Sequence, residues 1–262
     1  MSIPKLIHYC WFGGNSLPKD AIDCINSWKK YYPDYEIIEW NESNFDLNVC
    51  DYVREAYKAG RWAFVSDYAR FWILYKYGGL YFDTDVEVIK RADDIIEKGS
   101  FMGNEYGKVE NTTLVNPGLG MGAEKELSFF KKVLDYYNNI HFDKFDMKTI
   151  CEYTTELLTN EGYRYDNCVK IVAGISIYPI DFFCPMNYYT GEMAITDNTC
   201  SIHHYSATWI TEKEKKAKAV QKKLEAALHI SLKRNALFSL WKNLYCYGIR
   251  GFAEKFRDKY GK

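Results

Sequence analysis

The 262-residue chain holds 47% hydrophobic and 26% charged residues, the balance of a soluble globular protein with one sizeable core, or one core and a smaller appendage. It has no run of about 18 apolar residues to cross a bilayer, and its eight cysteines include no CxxC pair, so a zinc ribbon or thioredoxin-like motif is unsupported and free thiols in a reducing cytoplasm are expected. The net charge of −1 hides an asymmetry: from residue 211 onward there are 14 Lys and Arg against 5 Asp and Glu, and before it 20 against 30, so a basic tail suited to an anionic partner follows an acidic body.

The opening apolar run, with Gly13-Gly14 behind it, is too short for a signal peptide and reads as a strand from Leu6 to Phe12. A helix is expected from Asp20 to Tyr32, with Ile22, Ile25 and Trp28 on one stripe, Pro18 at its entry and Pro33 at its exit. A second strand from Tyr35 to Trp40 completes a β-α-β start. Gly60 to Tyr77 reads as a helix that is apolar on nearly every side and therefore buried. Between Trp62 and Tyr75 its only strongly polar positions are Ser66, Asp67 and Arg70. The last two, spaced i, i+3, share a face and make either an internal ion pair or a corner opening onto a site. Gly78-Gly79 caps the helix.

Leu80 to Ile89 then reads as one strand, followed by a short helix from Asp93 and a strand over Ser100 to Tyr106. "NPGLGMG", from Asn116 to Gly122, fits neither a Walker loop nor GxGxxG. Its glycines allow a close backbone approach to a ligand or a simple turn. Helices are expected over Glu124–Tyr137 and Ile150–Leu158, β structure over Val169–Ile177, and a strand through "YPIDFFCP". The tail reads as two helices, Glu212–His229 and Ala236–Tyr247, forming either a cap or an interfacial membrane helix with basic neighbours.

The stretch "YGGLYFDTDVEV" sets Asp83, Asp85 and Glu87 at every second position of an apolar segment. In an extended strand such residues share a face, roughly 6.6 Å apart. Unpaired buried carboxylates are very unfavourable, and a hard divalent cation such as Mn²⁺ or Mg²⁺ offsets their repulsion and can also hold a diphosphate. The competing chemistry is glycoside hydrolysis by Asp83, Asp85 and Glu87, but too few βα units precede the stretch for the barrel that carries such a signature. A solvated strand face fails to account for Leu80, Phe82, Val86 and Val88 at the alternate positions.

"SDYARFWILYKYGGLYFDTDVEV" resembles the S-D-x-x-R…Y-G-G-x-Y-x-D-x-D segment of glycosyltransferase family 32, which includes yeast-type initiating mannosyltransferases and bacterial capsule enzymes and is related to the catalytic domain of the large glucosylating toxins. The likeness extends to "IPKLIHYCWFGG", fades through the middle, and returns at "IYPIDFFCP" and "HHYSATW". It implies a GT-A fold, a Rossmann-like mixed sheet flanked by helices, over residues 1–210, with 211–262 a basic helical tail. It also implies a nucleotide-sugar donor, Mn²⁺ or Mg²⁺, and a glycan or lipid-linked acceptor, with no role for nucleic acid.

By position, the resemblance gives Asp85 to the metal, Asp83 to the metal and ribose, and Asp67 and Arg70 to the donor sugar. Trp11 would stack on the base with Asn44 near it, His204 (or His203) would ligate the metal, and Ser206, Thr208 and Trp209 would lie near the diphosphate. The implied setting is surface polysaccharide synthesis; the tail, which the likeness does not reach, is read from its own residues as a packed cap or as an attachment to the anionic inner face of a membrane. The Gly-Pro that many members carry near Cys151 is absent, which weakens inference on the acceptor side. A binding module without turnover is the non-enzymatic alternative.

Overall fold

The computed structural model describes residues 2–109, 112–143, 148–206, 212–228 and 236–260. Two compact units divide the chain, Met1–Ser206 and Ala207–Lys262. In the first, the β-α-β start consists of β1 (Leu6–Cys10), α1 (Lys19–Tyr31) and β2 (Glu36–Trp40). The helix α2 (Asp51–Lys58), which the sequence reading missed, precedes the long α3 (Trp62–Tyr77). Gly78 ends α3 with φ +64°, its amide donating to Leu74 O. Gly79 follows at φ +105°, where a Cβ would stand 2.7 Å from Leu6 O, so the chain can lie this close to β1 only without a side chain.

The expected single strand from Leu80 to Ile89 is two strands in two sheets. β3 (Gly79–Tyr81) pairs parallel with β1, and β4 (Val86–Val88) pairs antiparallel with β10 (Ser201–His203). Between them Asp83-Thr84-Asp85 form a turn closed by the Val86 amide on Asp83 O at 3.0 Å. Leu80, Phe82, Val86 and Val88 are all buried, so the alternation runs on across the break and conceals it.

Next come α4 (Asp93–Ile96), β5 (Phe101–Tyr106), β6 (Thr113–Asn116) and β7 (Met121–Ala123). Part of the glycine-rich stretch is therefore strand, around a tight turn over 117–120. The helices α5 (Ser128–Asn138) and α6 (Ile150–Asn160) lie where expected, α5 starting four residues late, and α6 carries a capping box on Thr149 and Glu152. β8 (Lys170–Val172) and β9 (Ile175–Tyr178) form a hairpin turned at Ala173-Gly174, both with positive φ. "YPIDFFCP" is a correction: Ile180–Phe183 is the short helix α7, not a strand.

The main sheet runs β2-β1-β3-β7-β5-β9-β8, with β6 beside β5. β1, β2, β3, β5 and β9 point one way and the rest the other, which makes it the mixed sheet flanked by helices that the resemblance implies. Two apolar clusters lie on its faces. Neighbouring strand residues divide between them, as pleating requires: Leu80 and Phe101 go with α1 and α7, Tyr81 and Met102 with α2, α3, α5 and α6. The carboxyl ends of β1, β3, β5 and β9 therefore share one edge, where open α/β sheets bind ligands.

In the second unit, α8 (Glu212–Leu228) and α9 (Ala236–Tyr260) pack together, with Tyr247 Oη donating to Glu214 Oε1 at 3.1 Å. α9 is kinked at Gly248. No helix among the described residues is long and apolar enough to cross a membrane.

Candidate active site

The turn between β3 and β4 stands at the carboxyl edge, and each of its aspartates meets its own cation. Arg70, from the buried face of α3, reaches Asp83 Oδ2 with Nη1 at 3.1 Å and Asp67 Oδ1 with Nη2 at 3.0 Å, and its Nε donates to Ser66 O. The two sequence readings of that polar corner thus combine: it is an internal ion pair, and it also ends on the half-exposed Asp83. Tyr81 Oη donates to the other oxygen of Asp83 at 3.1 Å, and the Arg70 guanidinium lies over the Tyr81 ring.

Asp85 takes His203 Nε2 on Oδ1 at 3.1 Å and the Ser206 amide on Oδ2 at 2.9 Å. Asp83, Asp85 and His203 each offer a ligand atom, all within 4.8 Å of one another. His204, the residue the resemblance favours over His203, turns the other way: its Nε2 meets Glu87 Oε2 at 2.9 Å while its amide donates to Asp85 O. Successive residues of an extended chain point to opposite sides, so His203 at the end of β10 and His204 just beyond it send their imidazoles apart, and one of the two reaches the aspartates.

Burial pushes the Asp67 carboxyl up, to about 7, against the pull of Arg70. Burial would raise Asp85 as well, but His203 and the Ser206 amide outweigh it and hold Asp85 at about 2. Burial lowers His203, yet the Asp85 charge beside it leaves its pKa raised. His203 Nδ1 is buried without a hydrogen-bond partner. Two carboxylates, an imidazole and an unsatisfied ring nitrogen fit a borderline-hard divalent ion such as Mn²⁺.

The glycine-rich turn is part of this architecture. A Cβ on Gly118 would lie 1.9 Å from Asp83 Oδ2, and Gly118 O accepts the Asp83 amide at 3.0 Å. The close approach that the glycines suggested is made to the aspartate. Asn116 holds the turn through Gly118 N at 2.6 Å and passes its Nδ2 to Glu105 Oε2 at 2.8 Å. Glu105 also accepts from Tyr205 Oη at 3.1 Å, and Tyr205 keeps a positive φ of 53° while its ring packs 4.1 Å from that of His203. Tyr81, Asn116, Gly118 and Tyr205 stood inside quoted stretches without being given a part in the site, and Glu105 stood only within the strand expected over Ser100 to Tyr106.

Trp11 follows β1 at the same edge, half-buried, its Nε1 donating to Asn15 O. The Asn44 side chain is engaged with Asn41 N and Glu39 O of its own loop. No hydrogen bond joins either residue to the aspartates among the described residues. Ser206 lies against Asp85, as above. Thr208 and Trp209 fall outside the described residues.

Residues 18–102 match the family described as "Glycosyltransferase sugar-binding region containing DXD motif". The DXD segment contains Asp67, Arg70, Asp83 and Asp85, whereas Glu105 and His203 lie beyond it. Among curated proteins, inositol phosphoceramide mannosyltransferase 1 of Schizosaccharomyces pombe is 31% identical over 111 residues, covering 38% of this chain and 33% of that protein. Inositol phosphoceramide mannosyltransferase 3 of the same yeast is 32% identical over 103 residues, covering 36% and 28%. The chain thus matches about a third of each relative's length. Among solved structures, PaToxG glycosyltransferase has a TM-score of 0.49 at 20% identity, covering 61% of this chain and 70% of that one. Galactosyltransferase LgtC, solved with donor and acceptor sugar analogs, has 0.41 at 16%, covering 77% and 87%.

Proposed function

We propose that this chain is a metal-dependent, retaining glycosyltransferase of the GT-A type. It moves a hexose from a UDP- or GDP-sugar to a glycan or lipid-linked acceptor in surface polysaccharide assembly, and residues 1–210 are its catalytic domain. The observation that carries this reading is the convergence of Asp83, Asp85 and His203 within 4.8 Å beside Arg70. The DXD segment and the mannosyltransferase relatives support sugar transfer as the general chemistry.

In this reading Asp85, His203 and Asp83 would hold Mn²⁺ or Mg²⁺. When bound, the ion supplies the positive charge that offsets a departing diphosphate. Asp67 fixes Arg70, and Arg70 with Tyr81 fixes the Asp83 carboxylate for the donor. Trp11 and Asn44 serve the base, and Ser206, Thr208 and Trp209 the diphosphate. The bond from the anomeric carbon to the diphosphate oxygen breaks while the acceptor oxygen bonds to the same face. The hydroxyl proton passes to the leaving diphosphate, and configuration is retained.

A hydrolase would need a carboxylic acid that still carries its proton near neutrality and can reach the substrate. Asp85 is held low by His203 and the Ser206 amide, Asp67 is sealed behind Arg70, and Glu87, the acid such a reaction would use, is bonded to His204, which turns away from the aspartates. The test is release of nucleoside diphosphate from a panel of nucleotide sugars with Mn²⁺. Asp85→Asn is expected to lower release and transfer about 100-fold or more. Near-normal turnover in that variant overturns the metal assignment. Thermal shifts without release by the unaltered protein would mark a binding module instead.

A further inference from the structure

Beside the metal cluster, a row of rings leads out to solvent. Asp85 bonds His203, the His203 ring lies 4.1 Å from that of Tyr205, and the Tyr205 ring lies 5.0 Å from that of Tyr188. Tyr188 and Tyr189 stand edge to face, 5.3 Å apart, and are 46% and 49% exposed. They sit on a tight hairpin closed by the Met186–Met193 bridge and by Asn187 N to Glu192 O at 2.8 Å. Asn187 Oδ1 takes the amides of Tyr189 and Thr190, which fixes the tip. A solvated turn has no need of two large rings at its apex, and two exposed aromatics held in place beside a site form a contact surface.

Glu105 stands at the inner end of this surface, half-buried at the carboxyl end of β5. Its hydrogen-bond donors, Asn116 and Tyr205, are neutral, and no cationic side chain among the described residues comes within ion-pair distance of it. Asp83 is committed to Arg70 and Asp85 to His203, so Glu105 is the carboxylate of this wall left without a cation, and it has beside it no arginine or lysine of the kind a phosphate or uronate would require. A flat C–H face for stacking and hydroxyl donors for a carboxylate are what a neutral pyranose offers.

We propose that Tyr188 and Tyr189, with Glu105 behind them, form the acceptor subsite and take an uncharged saccharide, the rings stacking on the sugar and Glu105 accepting its hydroxyls. This rests on the transferase reading above, and it adds the residues and the charge class of the acceptor.

The experiment uses the full chain, Mn²⁺, the donor panel, and p-nitrophenyl glycosides of neutral hexoses and of hexuronic acids as acceptor probes. Transferred product and free nucleoside diphosphate are quantified together, and binding of the same glycosides is followed separately by saturation-transfer NMR. In the Tyr188→Ala/Tyr189→Ala double variant the ratio of transfer to donor hydrolysis is expected to fall at least about tenfold and acceptor KM to rise by a similar factor. Glu105→Gln, similar in shape, is expected to raise acceptor KM more than donor KM. Melting temperatures check that the variants fold.

An unchanged ratio and acceptor KM in the double variant overturns the proposal. So does a preference for the uronic acceptors. A loss in Tyr165→Ala alone does so too, since it moves the acceptor to the groove lined by Tyr106, Tyr165 and Asn198. If the unaltered protein releases no diphosphate, the transferase reading fails. NMR contacts to neutral glycosides that vanish in the double variant would still uphold the saccharide subsite, and their absence from the unaltered protein would overturn it.

Discussion

At the scale of single residues, the Asp85–His203 pair sets a proton balance that any bound ion must disturb. The charge of Asp85 raises His203, so the imidazole of the metal-free protein holds its proton above pH 6.5. Asp85 is held at about 2, so it is ionised throughout the working range. His203 therefore contributes stability that is full below about 6.5 and lost as pH rises through its raised value. Asp85 contributes stability present above about 3.8 and lost as pH falls toward about 2. A cation must displace the His203 proton, so Mn²⁺ affinity is expected to climb between pH 6 and 8, by up to about tenfold per unit while the ring stays protonated. Titration calorimetry at three pH values checks this. A His203→Asn variant that keeps the full slope would rule the imidazole out as the group responsible.

At the scale of elements, the site depends on where β3 stops and β4 begins. Trp28 of α1, fully buried, donates Nε1 to Val86 O at 2.7 Å and packs against Phe82, while Ser27 Oγ accepts the Val88 amide. One helix thus fixes both ends of the aspartate turn. Trp28→Phe leaves the Val86 carbonyl unpaired and a void beside Phe82. A loss of about 2–3 kcal/mol in urea unfolding is expected, with weaker Mn²⁺ binding. Equal stability and equal binding would show that the turn holds itself.

The sequence made α3 readable because burial on all sides leaves Asp67 and Arg70 conspicuous, and made the aspartates readable because acids are rare among Leu80, Phe82 and Val88. It concealed the break at 83–85 because the apolar parity is the same on both sides of it. It also concealed α7, whose four residues lack a full helical period. Glu105 and Asn116 went unseen because their meeting depends on the pairing of β5 with β6, which no local pattern records. His203 and His204 differ only in strand facing, and the register of β10 on β4 decides between them.

At the scale of the whole molecule, an acidic body with a carboxyl-edge site is joined to a basic unit of two helices. Along α9, Leu237, Leu240, Trp241, Leu244 and Tyr245 are exposed, and the Trp241 and Tyr245 rings stack 5.5 Å apart. With 14 Lys and Arg against 5 Asp and Glu from residue 211 onward, this aromatic row suits the proposed peripheral attachment to an anionic bilayer. Trp241→Glu is expected to lower co-sedimentation with phosphatidylserine vesicles about fivefold or more, and high salt to weaken binding by the unaltered chain. Equal sedimentation of both forms would return the tail to a packing role.

The turn at 83–85 joins two separate sheets, and His203 comes from the smaller of them. An ion gripped there would act as a rivet through the seam, clamping the β4–β10 ribbon to the large sheet at the mouth of the cleft. Loading the metal and stiffening the wall that bears Tyr205 would then be one event, so the pocket would acquire its working shape only once charged with its ion.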